Sequence, residues 1–409
     1  MRIFWLCLLL LAPAWARPVV LVSIDGCRPE FYQSDQFQTP TLHRLAAEGR
    51  SADKMLSVFP TLTYPNHTSM MTGVPSAVHG IESNVVNLMK PGRVYNWEAS
   101  KVKVPTLYHV AYDAGLRTAL LAWPVTVGAQ ATLLAPEIFH VPGFVEESTA
   151  ELLARHSTPG LLQRFAVEMP TDFPGWDEQL TRVVVQLLAD HEVDFLAVHI
   201  IQVDEAQHRH GPDSPEAAEA IARVDGLIAR MVAADPEATF VIAGDHGFRS
   251  YHSLLFPNQM LKLAGIEDSY VHASGGSGAV YTGRADLEQF FAQRAAGRYR
   301  ILSRAELDEL AAFPGAAFGL LANDGVAFSS NFEDDKTIDP PRGQHGHLPI
   351  DVPTGLILWG KEFSPGPLGT VEILDLAPTL AHLLGIKMPG LLGKDLVPEV
   401  LDGSGQRLR

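Results

Sequence analysis

Three apolar, β-branched runs constrain the fold of this chain more than any other feature of the sequence. They cover residues 18–24, 195–201 and 239–243, and an aspartate follows each run closely. An apolar run without polar alternation is typical of a strand that is buried on both faces, as in a parallel sheet. Helical patterns separate the runs. We therefore predict an α/β fold with a mostly parallel central sheet and helices on both faces.

The aspartates after these runs are candidate ligands for metal ions. Asp25 follows the first run, Asp204 the second and Asp245 the third. The carboxyl ends of strands are where α/β folds place their sites. His208 lies one helical turn after Asp204, which puts both side chains on one helix face, and His246 directly follows Asp245. Carboxylate and imidazole donors of this kind suit zinc.

A third imidazole is expected from the stretch 343–347, which reads Gly-Gln-His-Gly-His. His345 has a glycine on either side, at 343 and 346, and His347 is the alternative. We prefer His345 because glycines allow a backbone to approach an ion closely, as they also do around Asp245. Three carboxylates and three imidazoles are enough ligands for two metal ions with open positions.

The stretch 59–84 contains a candidate nucleophile and a candidate anion clamp. Thr63 lies in a turn bracketed by prolines, and residues 66–71 are predicted to be helical. Thr63 would then precede a helix amino end, where free N–H groups favour phosphate or another oxyanion. Asn84 is the predicted polar clamp for that anion. A metal ion could lower the pKa of the Thr63 hydroxyl, and paired metals can hold both oxygens of a phosphoryl displacement.

The chain is predicted to be an exported protein with one catalytic domain. Residues 1–16 are typical of a secretory signal, with Arg2, an apolar run and a small-residue cleavage site. We expect a domain over 17–400, with a smaller inserted auxiliary lobe within about 247–344, and a flexible tail over 401–409. The signal predicts a secreted or periplasmic protein without a transmembrane segment after its removal.

The net charge limits which ligands the chain can bind, and the cysteine count limits its disulfides. The formal net charge of −16 argues against binding a nucleic acid polymer through a broad basic patch. A small anionic substrate is compatible with this net charge, because a metal site supplies positive charge locally. Of the two cysteines, Cys7 lies in the signal, so Cys27 cannot form an internal disulfide in the mature chain.

Other segments carry weaker patterns. We expect a helix near 148–165 within an irregular, proline-rich stretch, a polar loop over 331–342 and a buried strand over 355–359. No function is assigned to residues 130–175.

Several short motifs occur in the order in which one known enzyme family has them. They are Ser23-Ile24-Asp25-Gly26, residues 59–67, His79-Gly80-Ile81, residues 204–212, Gly244-Asp245-His246-Gly247, residues 343–346 and residues 375–380. In these motifs the chain resembles the nucleotide pyrophosphatase/phosphodiesterase family of the alkaline phosphatase superfamily. The motifs span nearly the whole mature chain. One departure is Gly346-His347-Leu348, where the family often has Gly-Tyr and an acidic residue.

The resemblance implies an alkaline phosphatase-like fold with two zinc ions. One ion would be held by Asp204, His208 and His345, and the other by Asp25, Asp245, His246 and the Thr63 oxygen. Thr63 would attack phosphorus and form a covalent intermediate, which a zinc-activated water would hydrolyse. The Asn84 side chain and the Thr63 N–H would hold a non-bridging oxygen. Tyr64 would help to form the pocket for the retained group.

The implied activity is that of an exported two-zinc phosphodiesterase or nucleotide pyrophosphatase acting on a small nucleotide-type substrate. A phosphomonoesterase, a phosphonate hydrolase and a choline-lipid phosphodiesterase share the same metal framework and remain alternatives. A monoesterase usually adds cations for the extra phosphate charge, and Arg28 and Lys54 are candidates for that role. A metal-binding protein without turnover is disfavoured, because neither a ligand nor the nucleophile is missing.

Overall fold

The computed structural model describes residues 17–90, 92, 94–168 and 172–397. The predicted signal at 1–16 and the predicted tail at 401–409 lie outside the described residues. The strands are β1 Val19–Ile24, β2 Arg50–Leu56, β3 Thr118–Leu121, β4 Leu133–Ala135, β5 Phe195–Ile200, β6 Thr239–Ala243, β7 Arg249–Leu255, β8 Tyr270–Ala273, β9 Ser277–Tyr281, β10 Tyr299–Leu302, β11 Phe318–Ala322, β12 Gly325–Phe328, β13 Lys336–Gln344, β14 Leu356–Trp359 and β15 Gly366–Glu372.

Helices connect most of the strands. They are α1 Glu30–Gln33, α2 Pro40–Glu48, α3 Thr63–Thr72, α4 Ser76–His79, α5 Leu107–Asp113, α6 Thr149–His156, α7 Leu161–Arg164, α8 Phe173–Ala189, α9 Gln202–His210, α10 Pro215–Ala234, α11 Pro257–Leu263, α12 Leu287–Arg294, α13 Arg304–Glu309 and α14 Leu376–Leu383, with 3₁₀ turns at Ala99–Lys101 and Ile373–Asp375. None of the described helices is long and apolar enough to cross a membrane.

The main sheet has the predicted parallel centre. Its strand order is β15-β2-β14-β6-β1-β5-β3-β4. The strands β4, β3, β5, β1 and β6 run parallel to one another, whereas β14 is antiparallel to both of its neighbours. The apolar run over 355–359 predicted that β14 is buried, but composition does not indicate whether a strand runs parallel or antiparallel to its neighbours. The fold class predicted from the sequence is confirmed.

Side chains of β1 alternate between two hydrophobic layers, one on each face of the main sheet. Val20, Val22 and Ile24 pack with apolar residues of α2, α8 and α10 on one face. Val19 and Leu21 pack with residues of α3, α5 and α14 on the other. Burying one such side chain contributes about 1.5–3 kcal/mol, so both faces stabilise the central strand. The helices cover the two faces of the sheet, and the candidate site lies at the carboxyl ends of its strands.

The auxiliary lobe is built from two smaller sheets between β6 and β14. One has the order β10-β11-β9-β8 and the other the order β12-β7-β13. The predicted polar loop over 331–342 is confirmed for residues 331–335 and wrong from Lys336 onward, where β13 begins and pairs with β7. Its side chains are mostly exposed and include two prolines, so no apolar alternation signals a strand. The pairing is interrupted by a register shift between Thr337 and Arg342.

Two strands of the main sheet, β2 and β15, have no counterpart in the sequence predictions. Charged residues interrupt β2, and glycine and proline begin β15. The predicted helix near 148–165 is divided into α6 and α7, because Pro159 and Gly160 interrupt it. Helix α3 begins at Thr63 rather than at Asn66, since proline is tolerated in the first turn of a helix.

Candidate active site

Neighbouring strands bring the predicted aspartates to one edge of the main sheet. β1 pairs with β6 on one side and β5 on the other, so the residues after these strands meet. Asp25 follows β1, Asp245 lies two residues after β6, and Asp204 lies in the first turn of α9 after β5. The start of α9 is held by the buried Asp177 carboxylate, which accepts the N–H groups of Ile201 and Gln202.

Asp25, Asp245 and His246 form one compact group. The Asp245 Oδ1 accepts the backbone N–H groups of Gly26 and His246, both at 3.0 Å. Its other oxygen lies 3.1 Å from the His246 Nε2, and the Asp25 Oδ1 lies 3.4 Å from the same nitrogen. Backbone contacts therefore fix the orientation of the Asp245 carboxylate and leave one oxygen directed at its neighbours.

Asp204, His208 and His345 form a second group beside the first. The His345 Nδ1–H donates to the Thr61 carbonyl at 2.8 Å, and the His208 Nδ1–H donates to the Gly343 carbonyl at 3.1 Å. Each imidazole therefore keeps the lone pair of its Nε2 for another partner. These nitrogens lie 3.8 Å and 3.4 Å from the Asp204 Oδ1. A backbone partner on the far nitrogen is the usual arrangement of histidines that bind metals.

The unused polar atoms of both groups fit metal ions. Within the described part of the chain, no hydrogen-bond partner meets the Asp25 Oδ1, the Asp204 Oδ1, the Asp245 Oδ2 or either ring nitrogen of His246. Buried polar atoms are rarely left unpaired, so these atoms point to a ligand. The ligand atoms of Asp25, Asp245 and His246 lie within 4.8 Å of one another.

The second cluster of ligand atoms differs from the expected set. Asp204, His246 and His345 have ligand atoms within 4.8 Å of one another, whereas we expected His208 in the place of His246. The His246 and His345 rings stack with centroids 3.7 Å apart, which explains why His246 reaches both groups. His208 contacts Asp204 from the outer side, and its side chain is 31% exposed. His347, the alternative to His345, lies outside both clusters.

The glycines beside these ligands serve close packing of the protein chain. A Cβ at Gly346 would overlap the Ser274 carbonyl oxygen, and one at Gly244 would overlap the Thr354 hydroxyl. Gly346 also has a φ of +86°, which favours glycine. At these two positions neighbouring protein atoms occupy the space that a Cβ would need, so packing within the protein already requires glycine.

Burial changes the pKa values of the clustered groups so that the neutral form of each group is favoured. It raises the pKa of Asp25 well above its ordinary value, and the charges of Asp204 and Asp245 raise it further. Burial also raises the pKa of Asp245 to about 7. It lowers the pKa of His246 and of His345 well below the ordinary value. A divalent cation would stabilise ionised carboxylates and neutral imidazoles together, which are the forms that bind metals.

Thr63 and Asn84 meet at the amino end of α3. The Asn84 Oδ1 accepts the Tyr64 N–H at 2.9 Å, so its amide NH₂ group is left to donate elsewhere. The first N–H groups of a helix have no partner within the helix. Because Asn84 occupies the Tyr64 N–H and Pro65 has none, the Thr63 N–H is the first-turn donor that remains for an anion. Thr63, Asn84 and Asp25 line one cavity.

Asn66 explains why the chain enters α3 in this conformation. Its Oδ1 accepts the Val58 N–H at 2.7 Å, and its Nδ2 donates to the Leu62 carbonyl at 2.9 Å. The side chain is fully buried. One amide therefore fixes the loop that precedes Thr63, and it holds the nucleophile candidate at the start of the helix.

The cavity at this edge has a volume of about 650 Å³ and an aromatic, acidic wall. The rings in this wall that are accessible to solvent include those of Tyr95, Phe139 and Trp176. Tyr64 also lines the cavity but is only 1% exposed, because it packs beside Tyr95. The remaining polar lining includes the carboxylates of Glu137, Asp172 and Glu205 and the guanidinium of Arg209.

Two residues of the site escaped the sequence analysis. His199 lies within β5, where its Nε2 approaches the Asp25 Oδ2 at 3.0 Å and its Nδ1 approaches the Glu137 Oε2 at 2.8 Å. The sequence did contain a signal for His199, because a histidine is unusual in an otherwise apolar strand. Glu137 follows the short strand β4 in the stretch to which no function was assigned, and it accepts the Tyr64 hydroxyl at 2.8 Å.

The sequence is similar to known phosphodiesterases. Human ectonucleotide pyrophosphatase/phosphodiesterase family member 7 is 27% identical over 259 residues, which cover 58% of this chain and 51% of the human protein. Venom phosphodiesterase 2 of Crotalus adamanteus is 22% identical over 244 residues, or 56% of this chain and 26% of the venom protein. The matched part thus spans about half of the first relative and about a quarter of the second.

Solved structures share the fold over most of the chain. Murine ectonucleotide pyrophosphatase/phosphodiesterase 5, solved as an inactive threonine-to-alanine variant in complex with AMP, has a TM-score of 0.69 at 17% identity. The match covers 92% of this chain and 97% of the murine chain. Phosphonoacetate hydrolase from Sinorhizobium meliloti 1021, in complex with phosphonoformate, has a TM-score of 0.68 at 22% identity and covers 91% and 96% of the two chains.

Membership of a family follows from a match that covers most of the sequence. A sequence model described as type I phosphodiesterase/nucleotide pyrophosphatase matches residues 19–339, which include every predicted site residue except His345. The fold, the order of the motifs and the relatives agree with this match. The chain belongs to the type I phosphodiesterase/nucleotide pyrophosphatase family.

Proposed function

We propose that this chain is an exported two-zinc phosphodiesterase that hydrolyses phosphodiester or pyrophosphate bonds of small nucleotides through a covalent threonine intermediate. The observation that carries the proposal is the position of Thr63. It begins α3, lines the same cavity as Asp25 and Asn84, and lies beside buried ligand groups with unused polar atoms. The predicted signal at 1–16 supports export.

The donor sets suit two zinc ions. One ion would be held by Asp204, His208 and His345, and the other by Asp25, Asp245, His246 and the Thr63 oxygen. Oxygen and imidazole donors in sets of three or four are typical of catalytic zinc. Bound zinc would supply positive charge that lowers the pKa of the threonine hydroxyl and neutralises phosphoryl oxygens.

In the first chemical step, the Thr63 Oγ1 forms a bond to phosphorus while the bond from phosphorus to the leaving oxygen breaks. The hydroxyl proton ends on the leaving group. In the second step, water adds to phosphorus, the bond to the Thr63 Oγ1 breaks, and one proton of the water restores the hydroxyl. The Asn84 NH₂ and the Thr63 N–H donate to a non-bridging oxygen, whose negative charge grows as each bond forms.

Replacing Asn84 by aspartate should lower kcat by about 10²-fold or more, the usual cost of losing one oxyanion donor. Aspartate keeps an oxygen for the Tyr64 N–H but removes the NH₂ donor and adds a charge that repels the phosphoryl group. The matched control is Asn87→Asp, because Asn87 is in the same loop and also accepts a backbone N–H. Steady-state kinetics at saturating zinc would compare the two variants. Equal kcat values for both would contradict the clamp role.

The cavity wall favours a neutral or cationic retained group. Among the described lining residues, carboxylates outnumber the single guanidinium, and Arg209 is already paired with Glu205. Arg28 and Lys54 do not line the cavity, and Arg28 is bonded to Asp213 and the Pro212 carbonyl. A second negative charge on the substrate, as in a monoester or phosphonoacetate, would therefore meet no unpaired cation there.

We expect the zinc-loaded protein to prefer a diester over a monoester by about tenfold or more in kcat/KM, which equals about 1.4 kcal/mol of transition-state binding. The test compares nitrophenyl-TMP with nitrophenyl phosphate, with phosphonoacetate as a third substrate. A preference for nitrophenyl phosphate or phosphonoacetate would contradict the diesterase proposal.

A choline phosphodiester is the second candidate substrate. Aromatic rings next to carboxylates can hold a quaternary ammonium group through cation–π and charge interactions, and the wall has Tyr95, Phe139 and Trp176 near Glu137. The rate on nitrophenylphosphocholine, measured beside nitrophenyl-TMP, separates the two candidates.

A further inference from the structure

A continuous line of hydrogen bonds joins the cavity wall to one of the candidate metal ligands. The Tyr64 hydroxyl donates to the Glu137 Oε1 at 2.8 Å. The Glu137 Oε2 accepts from the His199 Nδ1 at 2.8 Å. The His199 Nε2 then donates to the Asp25 Oδ2 at 3.0 Å. Four side chains from four separate segments of the sequence therefore share one network.

His199 selects which oxygen of Asp25 faces the other ligands. Because its Nε2 occupies the Asp25 Oδ2, the Oδ1 is left beside His246, 3.4 Å from the Nε2 of that ring. The Asp25 Oδ1 is also one of the buried atoms without a hydrogen-bond partner within the described residues. Rotation of the Asp25 carboxylate would exchange the two oxygens, and the bond to His199 opposes that rotation.

Glu137 in turn fixes His199. The imidazole side chain is 1% exposed and would lose hydrogen bonding to water without a protein partner on each nitrogen. Carboxylates accept hydrogen bonds, so both nitrogens donate and the ring has a single orientation between Glu137 and Asp25. The neighbouring ring of His67 packs edge-on to this imidazole, with the two ring centroids 4.2 Å apart.

Glu137 also belongs to the cavity. Its side chain is 11% exposed and lines the space in which a retained group would lie. Each of its oxygens already accepts a hydrogen bond, one from Tyr64 and one from His199, so contacts within the protein set the orientation of this carboxylate. Its contacts connect the wall of the cavity to the metal-binding edge of the sheet.

We propose that Glu137 is a positioning residue that acts through His199 to hold the Asp25 carboxylate in its metal-binding orientation. The inference rests on the proposed function, because it requires that Asp25 binds zinc. Removing a partner that orients a metal ligand typically costs about 10–100-fold in metal affinity or activity. Glu137→Ala should therefore weaken zinc binding by about tenfold or more and lower kcat at limiting zinc.

Two other variants distinguish positioning from a role in substrate binding. Glu137→Gln keeps a side chain of the same shape that can pair with Tyr64 and with one tautomer of His199, so zinc affinity should stay within about threefold of the parent value. Tyr64→Phe removes one bond at the cavity end but leaves the contact of Glu137 with His199 intact, and it should also keep zinc affinity. Glu178→Ala, an exposed carboxylate on α8 paired with Arg230, is the control.

The experiment is a zinc competition titration against a chromophoric chelator, with kcat and KM measured on nitrophenyl-TMP for the same preparations. Weaker zinc binding by Glu137→Ala, with near-parent zinc affinity for the other three variants, supports the proposal. Unchanged zinc affinity with a raised KM would overturn it and make Glu137 a substrate contact. If the alanine variant does not fold, Glu137→Asp carries the same expectation, because its shorter side chain cannot reach both partners.

Failure of the proposed function gives a different result. If the parent protein binds no zinc in the titration, both the proposed metal site and the role of Glu137 are contradicted. If the parent protein binds zinc only as tightly as the Glu137→Ala and Glu137→Asp variants do, the role of Glu137 alone is contradicted.

Discussion

Thr63→Ala should lower turnover of a diester by about 10³-fold or more, because alanine has no oxygen to form the bond to phosphorus. Metal content should stay near the parent value, since the carboxylates and imidazoles of both groups remain. The melting temperature should change little, because Thr63 is the first residue of α3 and the loop before it is held by Asn66. The measurements are kcat, bound zinc and thermal unfolding for the same preparation.

Two further variants show whether the hydroxyl is the reacting group. Thr63→Ser keeps an oxygen at the same position and should retain measurable turnover. Thr72→Ala removes a hydroxyl that donates to the Thr68 carbonyl at the far end of the same helix, and it should have the parent activity. Rapid acid quenching of the parent enzyme should give a mass increase on the peptide that contains Thr63. Parent-like turnover by Thr63→Ala would exclude the covalent mechanism.

Removal of the metal ions should abolish activity and destabilise the protein. Three carboxylates lie close together at the site, and burial raises the pKa of Asp25, Asp204 and Asp245, so ionising them without a cation is costly. A ligand at 1,000 times its Kd stabilises the folded state by about 4 kcal/mol. The melting temperature should therefore fall after dialysis against a chelator. Zinc addition should restore both the melting temperature and turnover.

The control for metal removal is a change of one ligand. Asp245→Asn should lose bound zinc and activity, since its carboxylate belongs to the first group. His252→Ala removes an exposed histidine outside both groups and should keep the parent zinc content. Full activity of the chelated protein, confirmed as zinc-free by elemental analysis, would contradict a metal-dependent reaction.

The parts of the site that could be predicted from the sequence are the residues that follow the ends of buried strands. Asp25, Asp204 and Asp245 come directly or closely after apolar strands that pair as neighbours, so the rule for α/β sheets brings them together. His345 was chosen by its flanking glycines and by the motif resemblance, because β13 before it has no apolar pattern. The geometry of its ring, bonded to the Thr61 carbonyl, supplies the physical reason that the sequence lacked.

The parts that could not be predicted depend on contacts between distant segments. Glu137 follows a three-residue strand in a stretch with few periodic signals, and its partners come from α3 and β5. β2 and β15 have mixed composition because one strand lies near the edge of the sheet and the other forms it. A local sequence pattern indicates how far a segment is buried. It does not indicate which distant segment packs against it, and that decides the role of Glu137 and the places of β2 and β15.

The central position of β1 in the sheet makes the fold depend on contacts between residues that are far apart in the sequence. Val19 pairs with Phe195 on one side and with Thr239 on the other. The Gly26 N–H bonds Asp245, 219 positions away, and His345 reaches back 284 positions to Thr61. Such long-range contacts make folding slow. A chain cut before His345 would contain Thr63 and most of the candidate ligands but would lack one imidazole of the second group, so the proposed metal site can be complete only after residue 345 has been synthesised.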